Sequence, residues 1–346
     1  MRRSPQEQLT DALACQGLSP VRMAAGRGCA VVVPELGGRV VSVVLDGVEC
    51  LWQDPRLLDD HRAAGWNTGG QRTWVAPEHA PHSLFYLAGS WSCPPEMDPG
   101  GYGVSGRPGP RSLRLESRFQ LSPEGRAAVF TMARRIRVAA AGDGFRLHVT
   151  QRVTVSETDE PVRPFGAWAI LQVPVPGLAV AALRRRTGPA PVFRDDFFEP
   201  LPAAWYDQGD GWAAFDLTGD RQYKAGLRAD ALPGRSRVDY IHPLPGTGRW
   251  LRIVQRSAVE RLGRYADAAG GSPSPAGDAV QFYNHMDKPP LTYGEIEAHG
   301  PVGGSGRPAS LAVSYDFHPL SVRRLRALHG RASWWPRLER FVAPER

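Results

Sequence analysis

Ala30-Val31-Val32-Val33-Pro34-Glu35-Leu36-Gly37-Gly38-Arg39-Val40-Val41-Ser42-Val43-Val44-Leu45-Asp46-Gly47-Val48-Glu49-Cys50-Leu51-Trp52 reads as three strands joined by two turns. β-Branched residues fill the apolar runs, and Pro34 to Gly38 interrupts them. Asp46-Gly47 between two such runs is a strong hairpin signal, because both central residues of a type I′ turn need positive φ. The pattern then repeats along the chain. Strands are expected at Ser112–Leu121, Ala127–Ala139, Gly144–Ser156, Gly166–Val173, Gly211–Leu217 and Tyr223–Leu227. Others follow at Val238–Ile241, Trp250–Ser257, Val280–His285, Tyr293–His299 and Ser310–Phe317. A dozen strands without interleaved helices predict an all-β antiparallel sandwich, not an α/β fold. No fixed repeat is visible, which argues against a propeller.

Only the ends read as helical. Residues 5–16 carry Leu9 and Leu13 on one edge, with Gly17 as a stop, and the tail from about 320 to 346 repeats apolar residues between arginines. Two stretches break the strand rhythm: Gln53 to Pro110, dense in Trp, His, Pro and Gly, and the Gly/Ser/Pro/Ala-rich Gly263 to Gly277. A connection as long as the first is usually functional or partly structured. No boundary divides the chain, so residues 1–346 are expected to form one domain with a core of about 28–317.

Apolar residues make up 42% of the 346, enough for a sizeable core and against disorder. The first residues are basic with no apolar stretch after them, so no signal peptide or membrane span is expected and cytoplasmic residence is the default. Cys15, Cys29, Cys50 and Cys93 are too far apart for a zinc motif or disulfide framework. The net charge of +7 comes from scattered arginines, without the aromatic interleaving of a nucleic-acid surface. Neither nucleic acid nor membrane is expected as a partner, whereas a small anionic ligand remains compatible.

Chemistry concentrates near the C-terminal end. In Tyr293-Gly294-Glu295-Ile296-Glu297-Ala298-His299, a period of two puts Tyr293, Glu295, Glu297 and His299 on one face. Successive groups on that face stand about 6.5–7 Å apart. A solvated edge would tolerate them, but two neighbouring carboxylates also repel, which raises one pKa and permits an acid/base division of labour.

The ordered motifs resemble a known superfamily. Leu36 to Gly47 with Leu51-Trp52 is similar to the opening hairpin of galactose mutarotase-like (aldose epimerase-like) domains. Asn67-Thr68-Gly69-Gly70-Gln71-Arg72-Thr73-Trp74-Val75-Ala76-Pro77-Glu78 resembles a segment of one uncharacterised bacterial branch. Phe165 to Gln172, Tyr223 to Gly226 and Tyr293 to Glu297 continue in the same order. The resemblance implies a β-supersandwich with a carbohydrate on its concave face. It also implies a late-strand carboxylate as base, here Glu295 or Glu297, and a mid-strand histidine as acid. Trp168 stands where that histidine is expected, and an indole cannot serve as a proton-donating acid.

The expected function is therefore a carbohydrate-active isomerase of epimerase type, with a strand glutamate as base. The alternatives are a non-catalytic carbohydrate-binding protein, or a lyase or hydrolase acting on a glycan or secondary metabolite. His79, His82 and Lys224 are the candidates to complement the glutamates. Arg72, Trp74, Glu78, Trp168, Gln172, Tyr283 and Tyr293 are the candidate ligand contacts. Glu78-His79-Ala80-Pro81-His82 contains metal-ligand types, but Pro77 and Pro81 disfavour a helix that would align them, so neither metal nor cofactor is expected.

Overall fold

The computed structural model describes residues 4–78, 83–87, 90–121, 128–156, 164–184, 192–194, 201, 203–267, 276–304 and 306–341. They build two large antiparallel sheets of ten strands each. The first runs in the order Val21–Ala25, Gly28–Val33, Arg39–Leu45, Gln71–Ala76, Gly166–Val173, Tyr293–His299, Asp278–His285, Tyr223–Arg228 and Val192–Arg194, with Val48–Glu49 beside Arg39–Leu45. The second runs from Tyr206–Gly209 through Trp212–Leu217, Gly177–Ala182, Arg235–Leu244 and Arg249–Ala258. It continues through Ala309–Ser321, Gly144–Ser156, Ala128–Ala141 and Ser112–Leu121 to Gly103–Val104.

The opening hairpin forms as its residues dictate, with Asp46 at φ 53° and Gly47 at φ 79°. Ser112–Leu121, Gly144–Ser156, Gly166–Val173 and Tyr293–His299 have the bounds their alternation or flanking turns predict. Gln71–Ala76 is the main addition inside the stretch read as a long loop. It is a central strand buried on both faces, so it shows no alternation. Val21–Ala25, Gly177–Ala182 and Tyr206–Gly209 also appear where no strand was expected. The first and last are edge strands, and Pro174 and Pro176 mask the second.

The N-terminal helix, Pro5–Cys15, has Ser4 and Glu7 in a reciprocal capping box, and seats Leu9 and Leu13 against Val31, Val33 and Val41. The C-terminal tail is two helices, Val322–His329 and Trp335–Glu339. They place Leu325, Trp335 and Leu338 on Leu178, Ile241 and Trp250, on the outer face of the second sheet. Among the described residues, no helix is long and apolar enough to cross a membrane.

Between the sheets lies an apolar core in which Phe215 and Phe282 stack at 4.4 Å. On Tyr293–His299, Ile296 and Ala298 join this core, and a Cβ on Gly294 would meet Leu217 at 2.7 Å. Tyr293, Glu295, Glu297 and His299 therefore face away from the second sheet. Described residues flanking Gln71–Ala76, with Trp66, Asn67 and Trp91 among them, cover that opposite face. Arg39, fully buried, holds this cover by donating to the carbonyls of Gly69 and Trp66 at 2.8 Å each and to Asp98 at 2.6 Å. Gly70, at φ 81°, packs so close that a Cβ would lie 2.2 Å from the Val40 carbonyl oxygen. These contacts fix where Trp66 and Asn67 sit above the sheet.

Candidate functional site

Cross-strand register gathers the polar face. Glu295 stands opposite Gln172 on one side and Tyr283 on the other. Glu297 stands opposite Ile170 and Gln281, and His299 opposite Trp168, which itself pairs with Trp74. Lys224 is opposite Tyr283. Directly opposed Cβ atoms are about 4.5–5.5 Å apart, so these side chains necessarily meet.

They enclose a cavity of about 470 Å³, within the usual size of a small-ligand site. Its walls are Trp66, Trp74, Trp91, Trp168, Tyr283 and Tyr293, with Arg72, Glu78, Lys224 and Glu295 among them and Asn67, Gln222 and His285 at the half-buried edge. Of the residues singled out in the sequence, Arg72, Trp74, Glu78, Trp168, Lys224, Tyr283, Tyr293 and Glu295 come together here. Gln172 lies behind the wall and orients it. His79 and His82 lie outside the described residues.

The two strand glutamates separate. Glu295 reaches the cavity: its Oε1 accepts from Arg72 at 2.8 Å and from Gln172 at 3.0 Å. Asn67 Oδ1 in turn accepts from both Arg72, at 3.0 Å, and Gln172, at 2.8 Å. The Arg72 guanidinium lies against two aromatic rings, 4.1 Å from the Trp74 ring centre and 5.0 Å from that of Trp66. Burial pushes the Glu295 carboxyl up to about 7, against the pull of Arg72 and with the help of Glu297's charge.

Glu297 is fully buried beneath the cavity and is not among its lining residues, so two carboxylates on one strand face have different surroundings. Its Oε2 accepts from the Trp168 indole at 2.7 Å and lies 3.6 Å from Lys224 Nζ and 3.7 Å from His299 Nε2. Burial disfavours its charge, but Lys224 and His299 outweigh that and hold its carboxyl below the usual range. Lys224 also donates to Glu78 at 2.5 Å, and Glu78 accepts from Trp91 at 3.0 Å. Although burial opposes its charge, these carboxylates hold the Lys224 ammonium well above its ordinary value, so it acts as a fixed cation.

Trp66 and Trp91, aromatics of the long stretch that could wall a ligand pocket, do line the cavity, whereas sequence reasoning missed Asn67, Gln222 and His285. Only His285 left a signal, since period two in Gln281-Phe282-Tyr283-Asn284-His285 puts it on the face of Tyr283. The others come from loops or short strands that tertiary contacts place.

The architecture is shared with solved structures. A candidate aldose 1-epimerase from Escherichia coli K12 matches with a TM-score of 0.54, covering 87% of this chain and 99% of its own at 12% identity. A galactose mutarotase related enzyme from Lactobacillus acidophilus matches with a TM-score of 0.50, covering 88% and 99% at 12% identity. No family model matches the sequence, and no curated protein does so. The chain has the galactose mutarotase-like β-sandwich fold.

Proposed function

We propose that the protein is a carbohydrate-active isomerase of the epimerase type, with Glu295 as the base that takes the anomeric hydroxyl proton. The observation that carries this reading is the place of Glu295. Its carboxyl lies on the wall of an aromatic cavity, oriented by Arg72 and Gln172, with a pKa of about 7 that suits a general base near neutral pH. Trp66 and Trp91, both half-buried, offer faces on which the apolar side of a sugar ring stacks. The wall's cations are already matched, Arg72 by Glu295, Lys224 by Glu78 and Glu297, and Arg56 by Asp54. A neutral sugar therefore fits better than a uronate or sugar phosphate.

A second reading, carbohydrate binding without chemistry, is favoured by Trp168 at the place where the resemblance expects an acid histidine. One experiment separates the two. A panel of neutral aldoses, uronates and sugar phosphates is titrated by calorimetry, and anomeric exchange is followed by NMR. Enzyme-accelerated exchange supports the isomerase, binding without exchange supports the recognition protein, and neither result with any sugar overturns both.

A further inference from the structure

Resting on that reading, we propose that His285, oriented by Tyr283 and Gln222, is the group that donates a hydrogen bond to the ring oxygen as the ring opens. The geometry begins with Glu295 and Tyr283, which are direct cross-strand partners on one face yet lean apart. The carboxylate is drawn toward Arg72, Gln172 and Asn67, on one side of the strand pair. The phenol is drawn the other way: Gln222 donates to its oxygen at 2.8 Å, and His285 Nδ1 lies 3.0 Å from it. The space between belongs to the cavity, which all four of Glu295, Tyr283, His285 and Gln222 line.

This chain of bonds accommodates the tautomer the role needs. With Gln222 supplying a hydrogen to the phenol oxygen, a phenol proton directed at His285 Nδ1 leaves the ring proton on Nε2. No described residue pairs with that Nε2. The ring is also held flat: it stacks on Tyr293 at 4.5 Å and 25°, and Tyr293 packs on Trp52 at 4.4 Å. Burial lowers the His285 pKa, partly offset by Asp287 and reinforced by Arg72, which keeps the imidazole neutral. A neutral imidazole serves as an electrophilic hydrogen-bond donor to a developing oxyanion.

The proton balance closes. Glu295 takes the O1 proton as the C1–O5 bond breaks, and the O5 alkoxide so formed is held by the hydrogen bond from His285 Nε2–H, which keeps its proton. After rotation about C1–C2, O5 attacks the other face of C1 and Glu295 returns the proton to O1. The electrophilic arm thus sits on the Asp278–His285 strand, which leaves Trp168 free for a structural role.

His285→Asn tests this, because an asparagine oxygen can still accept from Tyr283 but nothing replaces Nε2–H. The expected result is a loss of roughly 10²-fold or more in the exchange rate constant, with sugar affinity by calorimetry little changed. Nitrogen-15 NMR of wild-type histidines is expected to show the His285 proton on Nε2. Wild-type exchange with an unaffected His285→Asn variant, or a proton on Nδ1, overturns the inference alone. A wild type that exchanges no sugar overturns the isomerase reading and this inference with it.

Discussion

The Trp168 indole N–H donates to Glu297 Oε2 at 2.7 Å, and the Lys224 ammonium lies 4.7 Å from the centre of the same indole. Tryptophan here is a clamp on a buried carboxylate and a cover over a buried cation, and it separates Glu297 from the cavity that Glu295 lines. Trp168→Phe keeps the packing but removes the donor. It is expected to destabilise the fold by about 1–3 kcal/mol, the cost of leaving a buried acceptor short of a partner. Urea denaturation checks this. The exchange rate is expected to fall much less than the ~10²-fold expected for losing a proton-transfer group.

Lys224 stands between Glu78 at 2.5 Å and Glu297 at 3.6 Å, with 3% of its side chain exposed. Lys224→Met leaves two buried carboxylates without their cation, so a loss of about 3–5 kcal/mol is expected. The double variant Lys224→Met, Glu297→Gln is expected to recover part of it. A single variant as stable as wild type in denaturant would remove the electrostatic role assigned to this residue.

The Glu295 pKa of about 7 predicts how the exchange rate depends on pH. The charged and titratable groups facing it are Arg72 on Gln71–Ala76, Glu297 and Tyr293 on its own strand, Tyr283 on Asp278–His285, Lys224 on Tyr223–Arg228, and Glu78. The active base is the ionised form, so kcat is expected to rise with pH through about 7 and level above it. Arg72→Met removes the cation that favours ionisation. Its midpoint is expected to move to higher pH by about one unit or more. A pH–rate profile with no ionisation near neutrality contradicts the assignment.

Glu49, which does not line the cavity, gives a separate stability signal. Its Oε1 accepts from the backbone N–H of Val43 at 3.1 Å and of Cys50 and Leu51 at 3.0 Å each, and its Oε2 accepts from Ser42 at 2.5 Å. Burial nevertheless outweighs these bonds and lifts its carboxyl from 4.5 to about 7. The folded state then binds the proton more tightly than the unfolded chain. The stability this contributes is fully present below about 4.5 and is lost as pH rises through about 7. Glu49→Gln is expected to flatten the fall in Tm between those values, a difference of at most ~3 kcal/mol. Thermal melts from pH 4 to 8 measure it.

Much of this was legible in the residues, for identifiable reasons. The alternation of Ser112–Leu121 survives because one face is solvated and the other lies in the core. The Asp46-Gly47 turn is dictated by two adjacent positive φ values. The shared face of Tyr293, Glu295 and Glu297 follows from strand period alone. What period cannot show is which way a side chain leans. Glu295 and Glu297 are equivalent by pattern, and only Arg72 from one strand and Trp168 from another separate them. Gln71–Ala76 hid because burial on both faces erases alternation, and the place of Asn67 hid because it depends on Arg39 and two glycines whose tertiary contacts hold it over the sheet.

The most direct test compares anomeric exchange by NMR in wild type, Glu295→Gln and Glu297→Gln, using a neutral aldose that binds the wild type. The account predicts exchange lost by roughly 10²-fold or more in Glu295→Gln, and largely kept in whatever fraction of Glu297→Gln folds. Full activity in Glu295→Gln, or loss confined to a well-folded Glu297→Gln, would contradict it.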